Sequence, residues 1–313
     1  MTVAIIDIGT NTVLLLVAQI DEKGTITPLL YEQRAPRLGR GVDAEKNLKQ
    51  DSMLRVIDVL LEYKHMIAAF APDAVVVAAT SAVRDANNRS EFSQLVRRTV
   101  GFEIEVLSGN DEAYWTYSGA LSGIPDVHRA TVVDIGGGST EIITGNAHDV
   151  SQRASLDVGS VRMTERFFKH DPPLQTEIEE ATIWLRRELK KPEGFSFAGS
   201  ALVGVAGTAT ALAILDQELH EFTVDAIINH HLNLRNVRAL VEKLKTMTSS
   251  QILNLSTVMH GRNDVITAGG LILLEIMTQF GFDETIVSER GVRYGLALRE
   301  WEKTLSKQTG RPS

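Results

Sequence analysis

The chain has 313 residues, of which 43% are hydrophobic and 23% charged, and its formal net charge is −8. This length allows two domains with separate cores. The negative charge argues against duplex nucleic acid as a partner, because proteins that hold it by non-specific attraction are usually basic. The sequence contains no cysteine, so disulfides, thiolate zinc sites and cysteine nucleophiles are excluded.

No targeting signal is visible at the N-terminus, where a β-type apolar run begins at once. A secretion signal would need a basic segment followed by an apolar core. The longest apolar stretches are also too short or too interrupted to span a bilayer. We therefore expect a cytoplasmic protein without a membrane partner.

Residues 1–124 are predicted to form one domain, which opens with a meander of three strands and continues with helices that alternate with strands. The phrase Gly123-Ile124-Pro125-Asp126 is the best boundary signal, because glycine and proline interrupt both kinds of element. The predicted strands of this domain are 3–7, 12–19, 26–31, 74–79 and 103–107, and its predicted helices are 52–70, 91–99 and 111–121.

Residues 125–290 repeat this opening and are predicted to form a second domain, and residues 291–313 are expected to form a C-terminal helix that returns to the first. A doubled strand-turn-strand opening followed by helix-strand alternation predicts the α/β class, with mixed sheets covered by helices. The strands expected in the second domain lie near 130–136, 139–145, 150–157 and 201–206, and an apolar helix is expected at 209–215.

The same short phrase occurs in both halves, each time between two β-type runs. It reads Asp7-Ile8-Gly9-Thr10-Asn11-Thr12 in the first half and Asp134-Ile135-Gly136-Gly137-Gly138-Ser139-Thr140-Glu141 in the second. Glycine allows a close backbone approach, so that successive N–H groups can converge on an anion. The leading aspartate can hold a divalent cation. One such turn could be an ordinary hairpin, whereas two indicate related domains that face a cleft for phosphate and metal.

Further polar residues follow predicted strands, at the position where open α/β sheets bind ligands. Arg84 follows the strand at 74–79 and could hold a phosphate edge with its planar donor fork, or it could be a surface residue at a helix start. Glu112 lies in the first turn of a later helix, where a carboxylate is either a capping partner or a general base for water. Gly207 and Thr208 belong to a glycine turn that opens a helix.

Together these segments resemble the exopolyphosphatase and guanosine pentaphosphate phosphohydrolase family, within the actin, sugar kinase and heat-shock ATPase superfamily. The two phosphate turns alone would indicate only the superfamily. The phrases Thr80-Ser81-Ala82-Val83-Arg84-Asp85-Ala86 and Ser108-Gly109-Asn110-Asp111-Glu112-Ala113, added to the second turn, are specific to the family. The matching phrases follow the family's order over nearly the whole chain and also include 159–165, 204–208 and 264–269.

The resemblance implies two ribonuclease H-like domains with the active site in the cleft between them, and stepwise hydrolysis of terminal phosphates with Mg²⁺ or Mn²⁺. It assigns Glu112 as the base for the attacking water. Asp7, Asp134 and Glu141 are expected at the metal, with Glu141 also near the water. The implied substrate is inorganic polyphosphate or guanosine pentaphosphate. A homodimer is a further expectation, and the sequence leaves the oligomeric state open. The implied phosphate contacts are Gly9, Thr10, Asn11, Thr12, Arg84, Gly136, Gly137, Gly138, Ser139, Thr140, Gly207 and Thr208.

Two other function classes stay open at this point. A kinase of the same superfamily would also use two phosphate turns, although no sugar-binding phrase is recognisable. A non-catalytic nucleotide sensor or filament protein is the other class, and the presence of both Glu112 and Glu141 argues against it. Leu14 stands where the family often has a basic residue, and the chain resembles the family's short form, without further C-terminal helical domains. Both departures predict weaker binding of long polyphosphate chains.

Overall fold

A computed structural model describes residues 1–124, 127–146, 150–190, 192, 194–221, 227 and 230–309. The chain divides into two compact units, of which the first combines Met1–Gly119 with Val292–Ser313 and the second is Ala120–Gly291. Pro125 and Asp126, half of the predicted boundary phrase, lie outside the described residues. Each unit is built on one mixed sheet.

The elements of both units are numbered along the chain. The strands are β1 (Thr2–Ile8), β2 (Val13–Ile20), β3 (Ile26–Arg34), β4 (Ala74–Ala79), β5 (Ile104–Val106), β6 (Arg129–Ile135), β7 (Thr140–Asn146), β8 (Val150–Leu156), β9 (Ala201–Val205), β10 (His231–Asn233) and β11 (Glu284–Val287). The helices are α1 (Val42–Glu45), α2 (Gln50–Ala68), α3 (Ser81–Arg84), α4 (Arg89–Thr99), α5 (Gly109–Leu121), α6 (Ser160–Phe167), α7 (Gln175–Glu188), α8 (Ala206–Asp216), α9 (Leu234–Lys245), α10 (Ser249–Leu253), α11 (Ile266–Phe280) and α12 (Val292–Thr309).

The sheet of the first unit has the strand order β3-β2-β1-β4-β5. β1, β2 and β3 form the predicted antiparallel meander. β4 runs parallel to β1, and β5 runs parallel to β4. Parallel neighbours need a crossover connection, and the helices between these strands supply it.

Strand alternation decides which side chains of β1 meet which helices. Ala4 and Ile6 belong to the core that contains residues of α2 and α4. Val3 and Ile5 belong to the opposite core, which contains residues of α12. Asp7 is the next residue in this second series, so its carboxylate lies on the α12 face at the carboxyl end of β1.

The sheet of the second unit has the strand order β10-β11-β9-β6-β7-β8. β6, β7 and β8 are antiparallel, while β9 and β11 extend the sheet in parallel with β6. Its core joins the sheet to α6, α7, α8, α9 and α11. Representative core residues are Val133, Met163, Leu185, Leu202, Leu212, Val241 and Ile272.

The repeated phrase adopts the same four-residue turn in both units. Gly9 N–H donates to the Thr12 carbonyl at 2.9 Å, and Gly136 N–H donates to the Ser139 carbonyl at 3.0 Å. The turns connect β1 with β2 and β6 with β7. The equivalence explains why the sequence repeats a glycine at the first turn position.

The predicted α/β class, with mixed sheets flanked by helices, is confirmed. None of the helices in the described part of the chain combines the length and the apolar character that a bilayer crossing requires.

Candidate active site

The first turn is fastened through its carbonyl groups. Arg37 N–H donates to the Asn11 carbonyl at 3.0 Å, and Gly39 N–H donates to the Thr10 carbonyl at 2.8 Å. The Thr10 hydroxyl contacts the Ser81 hydroxyl at 2.9 Å, which ties the turn to the start of α3. Carbonyl and N–H groups point in opposite directions across a trans peptide. The N–H groups of Asn11 and Thr12 therefore point away from the segment that binds the carbonyls.

The second turn is fastened in the same way by the N-terminus of α6. Ser160 N–H donates to the Gly136 carbonyl at 2.9 Å, and Val161 N–H donates to the Gly137 carbonyl at 2.9 Å. Arg162, which is 7% exposed, donates from Nε to the Gly138 carbonyl at 2.7 Å. The first amides of a helix lack partners inside it, and here the turn supplies them.

Gly159 explains why α6 can approach the second turn so closely. A Cβ atom at this position would lie 2.3 Å from the Gly137 carbonyl oxygen and 2.5 Å from the Gly138 nitrogen. Both neighbours are backbone atoms, which cannot move aside as a flexible side chain can. Only glycine therefore fits this contact.

The bound carbonyls leave the amides of the second turn facing the other way. Because the peptides are trans, the N–H groups of Gly137, Gly138 and Ser139 point away from α6. In the part of the chain that the structure describes, these amides donate to no protein acceptor. Successive backbone N–H groups that point to one side form a concave site that suits an anion.

Two carboxylates stand opposite each other behind this turn. Asp134 on β6 pairs directly with Glu141 on β7, and directly paired residues project to the same face with their Cβ atoms about 5 Å apart. Glu141 is 1% exposed, and its Oε1 accepts from the Ser155 hydroxyl at 2.7 Å. Like charges in such a pair repel each other, so a cation beside them would stabilise the arrangement.

Glu112, which is buried, and Arg84, which is partly exposed, form an ion pair in the first unit. Arg84 Nη1 donates to Glu112 Oε2 at 2.6 Å and to the Leu107 carbonyl at 3.2 Å. Burial raises the pKa of Glu112 to about 7, with Arg84 opposing the rise and Asp7 adding to it. The proposed phosphate clamp and the proposed base are thus in direct contact, which sequence reasoning did not predict. A carboxyl group that titrates near neutrality suits a general base.

Asp7 is joined on the same face of the sheet by Arg293, from the first turn of α12. Burial raises the pKa of Asp7 to about 6, and the charge of Arg293 opposes this rise. Asp7 Oδ1 is buried and accepts from no donor within the described residues. Arg293 Nη2 donates to the Tyr31 hydroxyl at 3.1 Å.

The glycine turn at the start of α8 is held by side chains rather than left open. Arg262 Nη1 donates to the Gly207 carbonyl, and the Thr208 hydroxyl donates to the Ile135 carbonyl at 3.2 Å. Ala206, the first residue of α8, has φ at 63°, a conformation that costs about 1 kcal/mol or more in a residue with a side chain.

Thr140, at the start of β7, also donates its hydroxyl to a backbone carbonyl, that of Val158 at 2.6 Å. In this structure Thr140 and Thr208 connect elements around the second turn.

The carboxylates fit a divalent cation that binds together with substrate. Among the described residues, no group of three or more histidine, aspartate and glutamate side chains is arranged to hold a metal ion. Mg²⁺ is usually held by one or two carboxylates, waters and substrate phosphates rather than by a protein cage. In the second unit the opposed pair Asp134 and Glu141 matches that donor chemistry. In the first unit the buried Oδ1 of Asp7, taken by itself, does so too.

Residues 16–304 match the sequence model of the Ppx/GppA phosphatase family. The chain belongs to the Ppx/GppA phosphatase family. It is accordingly a hydrolase, and the family resemblance predicted from the sequence is confirmed.

Relatives of known sequence and structure agree with the membership. Exopolyphosphatase 2 of Mycobacterium tuberculosis is 33% identical over 316 residues, covering 95% of this chain and 97% of that protein. The bifunctional 3-dehydroquinate synthase/phosphatase of Fusobacterium nucleatum is 32% identical over 308 residues, covering 94% of this chain. The match spans 46% of that longer protein. The crystal structure of the Aquifex aeolicus member of the Ppx/GppA family has a TM-score of 0.81 at 33% identity, covering 97% of this chain and 98% of that one.

Within this Ppx/GppA member, some functional neighbours were missed by sequence reasoning. Arg293 and Ser155 were not singled out, although the charge of Arg293 acts on Asp7 and Ser155 contacts Glu141. Tyr31, which contacts Arg293, was not singled out either. Arg293 carries a weak signal in the sequence, because it is a lone charge in the otherwise uncharged opening of a helix, residues 292–298. The contacts of Tyr31 and Ser155 depend on strand pairing and carry no local signal.

Proposed function

We propose that this protein is an exopolyphosphatase, which removes the terminal phosphate of inorganic polyphosphate by attack of water on a phosphoanhydride bond. Guanosine pentaphosphate is the alternative substrate. The family membership and the similarity to an exopolyphosphatase over nearly the whole of both chains support the proposal. Both phosphate turns are proposed to be required for activity, since they share one geometry.

The observation that carries the proposal is the row of amides at Gly137, Gly138 and Ser139. Their carbonyl sides are bound by α6, so the N–H groups are fixed in direction before any ligand arrives. Preorganised donors stabilise developing negative charge without reorganisation at the moment of reaction. We assign the non-bridging oxygens of a phosphate to these donors, and by analogy to the first turn at residues 9–12.

Glu112 is proposed as the base that orients and deprotonates the attacking water. Because its pKa is raised to about 7, a large fraction of Glu112 is ionised near neutral pH. The ionised carboxylate is then a stronger base than one with an ordinary pKa. Arg84 holds the carboxylate in one orientation. We propose that Arg84 also contacts a substrate phosphate and exchanges part of its contact with Glu112 when the phosphate binds.

Mg²⁺ or Mn²⁺ is the proposed cofactor, held by Asp134, Glu141 and Asp7 together with substrate oxygens. When bound, such a cation neutralises negative charge on the transferred phosphoryl group. Ser155 fixes one oxygen of Glu141 and so limits its rotation. A homodimer and a cytoplasmic location remain predictions from the sequence.

The proposal is tested by a phosphate-release panel with short polyphosphate, long polyphosphate, guanosine pentaphosphate and ATP, with and without Mg²⁺ and without any acceptor. We expect release from polyphosphate that depends on the cation. Faster release from guanosine pentaphosphate would favour the alternative substrate. Phosphorylation of an added sugar-type acceptor by ATP, without release of free phosphate, would identify a kinase. No release from any substrate would refute the proposal.

A further inference from the structure

Arg293 is a buried charged residue beside the apolar core between the last helix and β1. It lies in the first turn of α12 and is 5% exposed. Neighbouring residues of this helix pack on the face of β1 that carries Val3 and Ile5. A guanidinium group in such a place is costly unless its donors are satisfied.

The partners of Arg293 satisfy only part of its donor fork. Nη2 donates to the Tyr31 hydroxyl at 3.1 Å, and the guanidinium carbon lies 4.4 Å from the centre of the Tyr31 ring. Nη1 is buried and donates to no acceptor within the described residues. The ring contact and the single hydrogen bond fix the plane of the guanidinium group, because cation–π attraction acts over the ring face.

Asp7 is a carboxylate whose charge acts on Arg293, yet it does not complete the fork. The charges of Asp7 and Arg293 act on each other, but the described residues show no ion pair between them. Asp7 Oδ1 and Arg293 Nη1 are both buried and both lack a protein partner. A structural arginine would be expected to pair with the carboxylate, as Arg299 on the same helix pairs with Glu105 at 2.7 and 2.8 Å.

We propose that Arg293 is a phosphate-binding residue, whose Nη1 donates a hydrogen bond to an oxygen of the substrate beside the first phosphate turn. Tyr31 is its positioning residue. The proposal rests on the proposed function, because it adds a substrate contact to that site. The position fits, since Asp7 is the penultimate residue of β1, the strand that leads into residues 9–12. The chemistry fits as well, because a planar fork binds phosphate edges in a fixed direction.

Binding and stability should then respond in different ways. Arg293→Met removes a buried donor that the protein itself leaves unsatisfied, so the melting temperature should stay close to that of the wild type or rise. Affinity for a phosphoanhydride should fall by roughly 10- to 100-fold, as expected for one lost charged hydrogen bond. Arg299→Met is the matched control, because it loses a satisfied ion pair on the same helix. It should lower the melting temperature and leave affinity unchanged.

The test is calorimetric titration of the full chain with imidodiphosphate and Mg²⁺, alongside thermal unfolding without ligand. Arg293→Lys, which keeps the charge without the fork, should bind several-fold more weakly than the wild type, and Tyr31→Phe should also weaken binding. Wild-type affinity in Arg293→Met, or no imidodiphosphate binding by the wild type, would overturn the proposal. If Arg293→Met does not fold, wild-type affinity in Arg293→Lys would overturn it.

Failure of the proposed function is recognised separately. Phosphate release from polyphosphate is measured on the wild type alone, and its absence refutes the exopolyphosphatase proposal. Imidodiphosphate binding that depends on Arg293 would still establish the residue as a phosphate ligand in that case.

Discussion

Removing Arg84 should shift the pH dependence of catalysis to higher pH. The charges that act on Glu112 are the attractive one of Arg84 and the repulsive ones of Asp7 and Asp85, on top of burial. Arg84 stabilises the ionised carboxylate, so its loss raises the pKa of Glu112. A general base acts only when ionised, and kcat/KM therefore rises with pH through that pKa. In Arg84→Met the rise in kcat/KM should therefore begin at a higher pH.

The expected size of the shift follows from the contact distance. Arg84 Nη1 lies 2.6 Å from Glu112 Oε2, and both side chains are largely buried. Charge centres about 4 Å apart interact by about 4 kcal/mol at an effective dielectric constant of about 20, equivalent to an upper limit of about 3 pKa units. Measured effects of a neighbouring arginine on an acid are about 1–3 units. From a starting pKa of about 7, the rise should move to between about pH 8 and pH 10.

The assay is kcat/KM for phosphate release from tripolyphosphate between pH 5.5 and 10.5, written as the ratio of variant to wild type so that ionisation of the substrate cancels. Arg97→Met is the matched control, because its ion pair with Glu103 at 2.8 Å is exposed on both sides and should contribute little. A variant profile that still rises near pH 7, although lower in height, would refute Glu112 as the group that titrates.

Three further changes have defined outcomes. Glu112→Gln should lower kcat by at least about 10²-fold while the fold is retained by circular dichroism, because the shape is kept and the base is lost; more than a tenth of wild-type kcat would contradict the assignment. Asp134→Ala should raise the Mg²⁺ concentration needed for half-maximal activity, and full activity in excess chelator would exclude the cation. Gly295→Ala should destabilise the protein in urea unfolding by about 1–3 kcal/mol or more, because the new Cβ would lie 1.8 Å from the Trp115 carbonyl oxygen. Gly291→Ala meets no atom within 4 Å and serves as its control, with a change of about 0.5 kcal/mol at most.

The elements of this fold were readable because their signals are local. The strand predicted at 74–79 is β4 itself, and the predicted helix at 52–70 lies within two residues of α2 at both ends. The apolar stripe of α2 has the period of a helix, and the three opening strands are separated by short turns. The two phosphate turns were likewise marked by glycine where the backbone approaches itself.

Contacts between side chains could not be predicted from the sequence in the same way. Arg84 and Glu112 were each singled out, but their contact joins residues 28 positions apart. It depends on α3 and α5 beginning just after the neighbouring strands β4 and β5. The pairing of Asp134 with Glu141 follows from hairpin register, which the turn length fixes. Arg293 lies close enough for its charge to act on Asp7 only because the last helix packs on β1. Such contacts depend on tertiary packing, which no window of sequence contains.

In the proposed mechanism, a water molecule held by Glu112 attacks the terminal phosphate. The most direct measurement is hydrolysis of tripolyphosphate in water enriched in ¹⁸O, with mass spectrometry of the products during the first turnovers. We expect one ¹⁸O atom in each orthophosphate released from the chain end and none in the pyrophosphate left behind. Glu112→Gln should lose this labelled product. Label in the remaining chain fragment, or orthophosphate without solvent oxygen, would contradict the proposed mechanism.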